Sequence, residues 1–152
     1  MTKNKKIKIM SSHANAFFQV AAELDNGTLE IRAPYVYIVN IIFSIELYLK
    51  ALIIKSNKSP YKTHELKKLY NQLTEKQKKS LENEYKKELD ENSFAFYLKK
   101  DLPTMKYFCE YYDNAFIDYR YVFEHYNDEK IKDMYIDSFG LVKRILEKEL
   151  KK

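Results

Sequence analysis

Residues 34–56 read PYVYIVNIIFSIELYLKALIIKS and contain the most apolar segment of the chain. Apolar side chains recur along it at three- and four-residue spacing, which predicts a helix that begins after Pro34 and ends near Ser56. Further apolar residues cover much of its remaining surface, and such a helix belongs in the middle of a bundle. The main stripe comprises Ile38, Ile41, Ile42, Ile45, Leu49 and Leu52, and the second set comprises Val39, Phe43, Leu47 and Ile54.

The polar residues that interrupt this apolar stretch include Asn40, Glu46 and Lys50. Their presence favours a core helix over a membrane span. Glu46 and Lys50 lie four residues apart, so they can pair on one face, and leaving either charge unpaired in a core would be costly. We expect a partly buried ion pair that could extend to Arg120. The alternative is that the pair supports the reacting groups of a functional site.

The rest of the chain predicts an all-α, up-and-down bundle of five or six helices. Only 2 Gly and 3 Pro punctuate the sequence, which disfavours many short strands joined by tight turns. Ser11 or Ser12, Thr63 and Asp128 are candidate N-caps, and Thr74 and Gln77 have the spacing of a capping box. The other helices are expected at about Ser12–Asp25, His64–Leu73, Thr74–Leu89, Pro103–Tyr126 and Asp128 to the C-terminus, with Phe94–Leu98 unassigned.

Length and composition indicate one domain that spans residues 1–152, with a Lys-rich stretch at Met1–Met10 that can be flexible. The single Cys109 excludes an internal disulfide and is best interpreted as a small buried residue. No signal-peptide pattern is visible, so we expect a cytoplasmic protein. The net charge of +5 permits binding to polyanions without demonstrating it.

The three histidines, His13, His64 and His125, have no spacing that suggests a metal site, and no phosphate-binding glycine loop occurs. We therefore expect no metal and no cofactor. What remains is Arg120, followed five positions later by His125. On a regular helix at about 100° per residue these side chains would lie about 140° apart, so they can converge only if the helix loosens before Asn127.

Three segments of the chain, residues 40–52, 62–69 and 119–125, resemble segments that occur in the same order in the HEPN family of RNA-cleaving and RNA-binding helical bundles. The Arg120–His125 spacing resembles the Arg-x4-6-His motif of its nucleases, and Tyr119-Arg120-Tyr121 resembles its Arg-Tyr signature. The family's apolar helix, in which an acidic residue precedes Lys-Ala-Leu, is similar to residues 40–52. Its His-acidic-Leu segment is similar to KTHELKKL at residues 62–69. The resemblance covers about Asn15 to Leu146.

The resemblance implies a metal-independent endoribonuclease of a kind associated with toxin–antitoxin and phage-defence systems. Arg120 and His125 would be the catalytic residues, and two sites would meet across a homodimer interface that includes the Phe108–His125 helix. RNA would be the substrate and an antitoxin a possible partner, with no membrane involved. His125 suits proton transfer from the 2′-hydroxyl, and the planar Arg120 suits the phosphate.

Other interpretations stay open. Arg120 can form a structural ion pair with Glu124, Glu46 or Asp113, and His125 can be a solvated histidine at a helix end. His64 is more readily explained as a packing or capping residue, His13 as a surface residue, and the tyrosines between 107 and 126 as core. The alternative function is a non-catalytic HEPN-like module that binds RNA, a nucleotide or a protein partner.

Overall fold

A computed structural model describes residues 1–25, 34–92, 95–121 and 136–152. These residues form eight helices and no strands, which confirms the all-α bundle, although the helices outnumber the five or six expected. In chain order they are α1 (Lys3–Asp25), α2 (Pro34–Lys55), α3 (Leu66–Gln72), α4 (Glu75–Glu91), α5 (Phe96–Asp101), α6 (Met105–Tyr111), α7 (Ala115–Arg120) and α8 (Ile136–Lys151).

Helix α2 is the centre of the bundle and contacts α1, α3, α7 and α8. Its length and composition would also fit a membrane span over Tyr35–Lys55, but 67% of its most apolar window is buried inside the bundle. The helix ends where Asn57 adopts a left-handed φ of 63°, a conformation that Asn tolerates better than most residues. The Lys58 amide then donates to the Ile53 carbonyl at 3.2 Å, which closes the last turn.

Helix α1 packs antiparallel to α2. Ser44 donates to the Ala14 carbonyl at 2.7 Å near the middle of the pair, and Lys3 donates to Asn57 at its end. The prediction that this helix starts at Ser12 is wrong, because it begins at Lys3. Residues 3–11 contain no Gly or Pro, and the Thr2 hydroxyl accepts a hydrogen bond from the Lys5 amide, so the helix continues to the N-terminal side of the serines.

Helix α8 packs against both α2 and α4. Lys55, at the end of α2, donates to the Leu150 carbonyl at 2.8 Å. Against α4, Lys148 pairs with Glu84 at 2.5 Å and Arg144 with Glu88 at 3.5 Å, which gives an antiparallel pair of helices. The start expected for this helix at Asp128 lies outside the described residues.

The prediction of one long helix from Pro103 to Tyr126 is wrong, because the helix ends at Tyr111 and a new helix begins at Ala115. The apolar spacing nevertheless placed the core side chains correctly, since Phe108, Tyr112, Phe116 and Tyr119 are buried. The break frees backbone and side-chain groups of the connecting residues to bind elsewhere in the bundle.

Asp113, in this break, caps α3. Its carboxylate accepts a hydrogen bond from the Lys67 amide at 2.7 Å, and its carbonyl accepts one from the Leu66 amide at 3.3 Å. Thr63 is therefore not the cap that the sequence predicted, and α3 begins at Leu66 rather than His64. The Thr63 hydroxyl instead accepts from the Glu65 amide at 3.1 Å within the segment before the helix.

The capping box predicted at the start of α4 is confirmed. The Thr74 hydroxyl accepts from the Gln77 amide at 3.2 Å, and the Gln77 side chain accepts from the Thr74 amide at 3.0 Å. We expect Thr74→Ala to lower the free energy of unfolding by about 1 kcal/mol, because the Gln77 amide loses its acceptor. Urea denaturation measures the change. Ser12→Ala, at an exposed position inside α1, is the matched control and should shift the midpoint little.

Candidate nucleic-acid site around Glu46, His64 and Arg120

Glu46 is a fully buried carboxylate in the middle of α2. One of its oxygens contacts the Lys50 ammonium at 2.6 Å, one turn further along the helix. The other oxygen lies 2.9 Å from Nδ1 of His64, which reaches it from the segment before α3. The ion pair is thus partly buried, with Lys50 16% exposed, and its third member is His64 and not Arg120.

His64 is held by Glu46 on one edge and by an aromatic ring on its face. Its ring stacks on Phe116 of α7 with centroids 4.3 Å apart and planes at 19°. The carboxylate of Glu46 can only accept, so an ionised Glu46 places a proton on Nδ1 of His64. The His64 side chain remains 43% exposed, so this histidine faces both the core and the surface.

Arg120 is the last residue of α7 and is exposed. Its guanidinium carbon lies 5.9 Å from the centre of the Phe116 ring, within cation–π range, and 5.5 Å from the centre of the Tyr121 ring. Within the described part of the chain it has no carboxylate partner closer than 4.0 Å. Glu46 is occupied by Lys50 and His64, and Asp113 by the amides of α3.

Phe116 connects His64 with Arg120, since its ring contacts both. The Glu46 cluster comprises Glu46, Lys50, His64, Phe116 and Arg120. Phe116 is buried, and its ring centroid lies 5.2 Å from that of Phe43 on α2. The expected partners His125 and Glu124 lie outside the described residues, so their distances from Arg120 remain a prediction. Helix α7 ends at Arg120, and Tyr121 is its C-cap.

The segment that carries His64 is ordered by charge as well as by Asp113. Lys68 contacts the Glu65 carboxylate at 2.6 Å, and its hydrogen bond lowers the pKa of Glu65, to which the Thr63 hydroxyl bond adds. Lys67 lies 3.8 Å from Glu110. These exposed contacts are individually weak, but together with the two bonds to Asp113 they restrict the backbone that follows His64.

The remaining candidates are placed apart from this cluster. His13 is exposed on α1. Cys109 is buried in α6, and burial raises the pKa of its thiol, so it is a poor nucleophile. A cavity of about 590 Å³ lies between the first turns of α1 and the ends of α2 and α8, and none of its lining residues belongs to the Glu46 cluster. Among the described residues, no three His, Cys, Asp or Glu side chains are grouped as metal ligands.

The sequence contains one signal that points to His64. A buried Glu46 paired only with Lys50 would leave one carboxylate oxygen without a partner, and buried polar atoms are almost always hydrogen-bonded. A second donor was therefore needed, and the nearby KTHEL segment contains the histidine that supplies it.

Comparison with known families agrees with this architecture. The family model described as the HEPN domain matches residues 14–152, nearly the whole chain. The protein therefore belongs to the HEPN family, an all-α fold. The match begins inside α1, at Ala14. Neither the curated proteins nor the solved structures include a significant match.

Proposed function

We propose that this chain is a metal-independent endoribonuclease of the HEPN family, in which Arg120 and His125 act together on RNA. The observation that carries the proposal is the position of Arg120. It is exposed at the end of α7, stacked against Phe116, and has no carboxylate partner within the described part of the chain. An arginine used only for structure would be expected to pair with a carboxylate, whereas this one can accept an incoming phosphate.

RNA supplies its own nucleophile, the 2′-hydroxyl, so cleavage needs a base and a positive charge at the phosphate. Arg120 would hold two phosphate oxygens through its planar fork and stabilise the additional negative charge of the transition state. His125 would take the proton from the 2′-hydroxyl. The products would carry 2′,3′-cyclic phosphate and 5′-hydroxyl ends, and DNA would resist cleavage.

The homodimer is part of the proposal, and the surface of α6 and α7 supports it. Tyr107, Tyr111, Ile117 and Tyr121 are large, exposed side chains that follow one another along this part of the chain. Tyrosine in particular is enriched where protein interfaces are strongest. A dimer through this surface would place two Arg120 side chains near a common groove. A role as a toxin or in phage defence, a cytoplasmic location and an antitoxin partner are proposed with it.

Purified protein should cleave single-stranded RNA in excess EDTA, because no proposed step uses a divalent cation. Gel electrophoresis of an end-labelled RNA, with chemical identification of the new ends, measures this. The same sequence made as DNA should stay intact and serves as the control. Loss of activity on EDTA treatment, with recovery on adding Mg²⁺ or Mn²⁺, would contradict the proposed mechanism.

The second candidate function is a non-catalytic HEPN module that binds RNA. Exposed tyrosines beside Arg120 favour it, because aromatic rings and guanidinium groups stack on unpaired bases without cutting the strand. Such a protein would retain RNA in a filter-binding assay, with affinity that falls as salt rises, and would leave the RNA intact. Intact RNA in a stable complex with the wild-type protein would select this function over the nuclease.

A further inference from the structure

Cleavage of RNA by its 2′-hydroxyl moves two protons, and the proposed function accounts for only one. His125 would take the proton from the 2′-oxygen. The 5′-oxygen leaves as an alkoxide unless another group gives it a proton as the bond to phosphorus breaks. One histidine cannot do both within a single displacement step, so a second proton-transfer group is needed.

We propose that His64 is this second group, the general acid that protonates the leaving 5′-oxygen. This inference rests on the proposed nuclease function and adds a catalytic residue to it. His64 comes from a different part of the chain than Arg120, and the two lie beside the same ring because Phe116 contacts both.

The surroundings of His64 leave one ring nitrogen available for substrate. Nδ1 is 2.9 Å from the buried Glu46 carboxylate, whose other oxygen is held by Lys50. Nε2, on the opposite side of the ring, has no hydrogen bond to any residue that the structure describes. The side chain is 43% exposed, which gives Nε2 access to the surface. A carboxylate that orients one ring nitrogen while the other transfers a proton is an arrangement common to many hydrolases.

The ring of Phe116 sets the position of His64 relative to Arg120. The His64 ring lies 4.3 Å from its centre and the Arg120 guanidinium carbon 5.9 Å from the same point. The centre of the His64 ring and the Arg120 guanidinium carbon are therefore at most about 10 Å apart, so one phosphate group can lie between them. A phosphate bound by Arg120 could then have its bridging 5′-oxygen next to Nε2 of His64.

The proton balance of the step is complete with these residues. The 2′-oxygen loses its proton to neutral His125 and forms the new bond to phosphorus. The bond from phosphorus to the 5′-oxygen breaks, and that oxygen takes the proton from Nε2 of a protonated His64. His64 ends neutral and His125 ends protonated, so solvent must exchange one proton with each before the next turnover. The Glu46 carboxylate takes no proton in this step and lies beside the protonated His64 ring.

A substrate whose leaving group needs no proton tests the assignment. In an RNA with sulfur in place of the bridging 5′-oxygen, the group leaves as a thiolate, which is far less basic than an alkoxide. His64→Gln should cleave ordinary RNA about 10²–10⁴-fold more slowly than wild type, the usual contribution of a general acid. It should cleave the sulfur-containing RNA at close to the wild-type rate. His125→Ala should be slow on both substrates.

Two further variants separate catalysis from folding. His64→Asn keeps an amide near the position of Nδ1 and should behave as His64→Gln does, whereas His13→Gln, at an exposed position of α1, should match wild type on both substrates. Equal losses on the two substrates would show that His64 only maintains the structure, and no loss on either would show that it takes no part. Both results overturn the inference. Wild-type protein that cleaves neither RNA overturns the proposed function, and the inference with it.

Discussion

Arg120→Ala and His125→Ala should each slow RNA cleavage by about 10²–10⁴-fold, the range found when one charge-stabilising group or one proton-transfer group is removed. Arg120 lies on the surface at the end of a short helix, and its guanidinium lies near two aromatic rings. Its loss should therefore leave the core intact. Single-turnover cleavage of a labelled RNA measures the rates, and sedimentation shows whether each variant keeps the mass of the wild-type assembly.

Arg144 provides a matched control for this experiment, because it is also an exposed helical arginine but pairs with Glu88 on α4. Arg144→Ala should leave cleavage unchanged. Arg120→Lys keeps the positive charge but loses the planar fork, so it should recover only part of the activity. Undiminished cleavage by His125→Ala would rule out its role as base, and undiminished cleavage by Arg120→Ala would rule out the phosphate contact.

The second large effect is expected on stability. Glu46→Ala should lower the free energy of unfolding by about 3–5 kcal/mol, because it leaves Lys50 without its counter-charge and removes a buried carboxylate with two partners. For a chain of this size about 2–4 °C of melting temperature corresponds to each kcal/mol. Thermal denaturation followed by circular dichroism measures the shift.

Glu147 is the natural comparison, since it too is bound by two cations, Lys143 and Lys151, but is 26% exposed on α8. Glu147→Ala should cost less than about 1 kcal/mol because solvent screens and replaces these contacts. Glu46→Gln keeps an acceptor for Nδ1 of His64 and should fall between wild type and Glu46→Ala. Equal melting temperatures for Glu46→Ala and Glu147→Ala would show that the Glu46 pair behaves like a surface pair.

The parts of the fold that depend on periodicity and local capping could be predicted from the sequence. The central helix α2 and the capping box of Thr74 and Gln77 are of this kind. The break between α6 and α7 could not, because the apolar spacing continues across it from Phe108 to Phe116. In the break, Asp113 accepts hydrogen bonds from the first amides of α3. Asp113 and Lys67 are 46 positions apart, so no local sequence pattern contains this contact.

The candidate site was predictable to a similar degree. Few arginines and histidines occur, so Arg120 could be singled out, and the spacing of Glu46 and Lys50 indicated that they can pair. The involvement of His64 was not foreseen, because its partners lie on α2 and α7 and are brought to it only by folding. The expected burial of Glu46 calls for a second donor, but only the folded bundle shows that this donor is His64.

Asp113 has a consequence for the protein while it is being synthesised. Glu46 and His64 leave the ribosome well before Asp113, which caps α3, and Arg120. An incomplete chain that ends ahead of Asp113 would expose the His64 segment with its first amides uncapped and with no Phe116 to stack on. Under the proposed function, a chain arrested before Asp113 would contain Glu46 and His64 but not Arg120, and it would not cleave RNA.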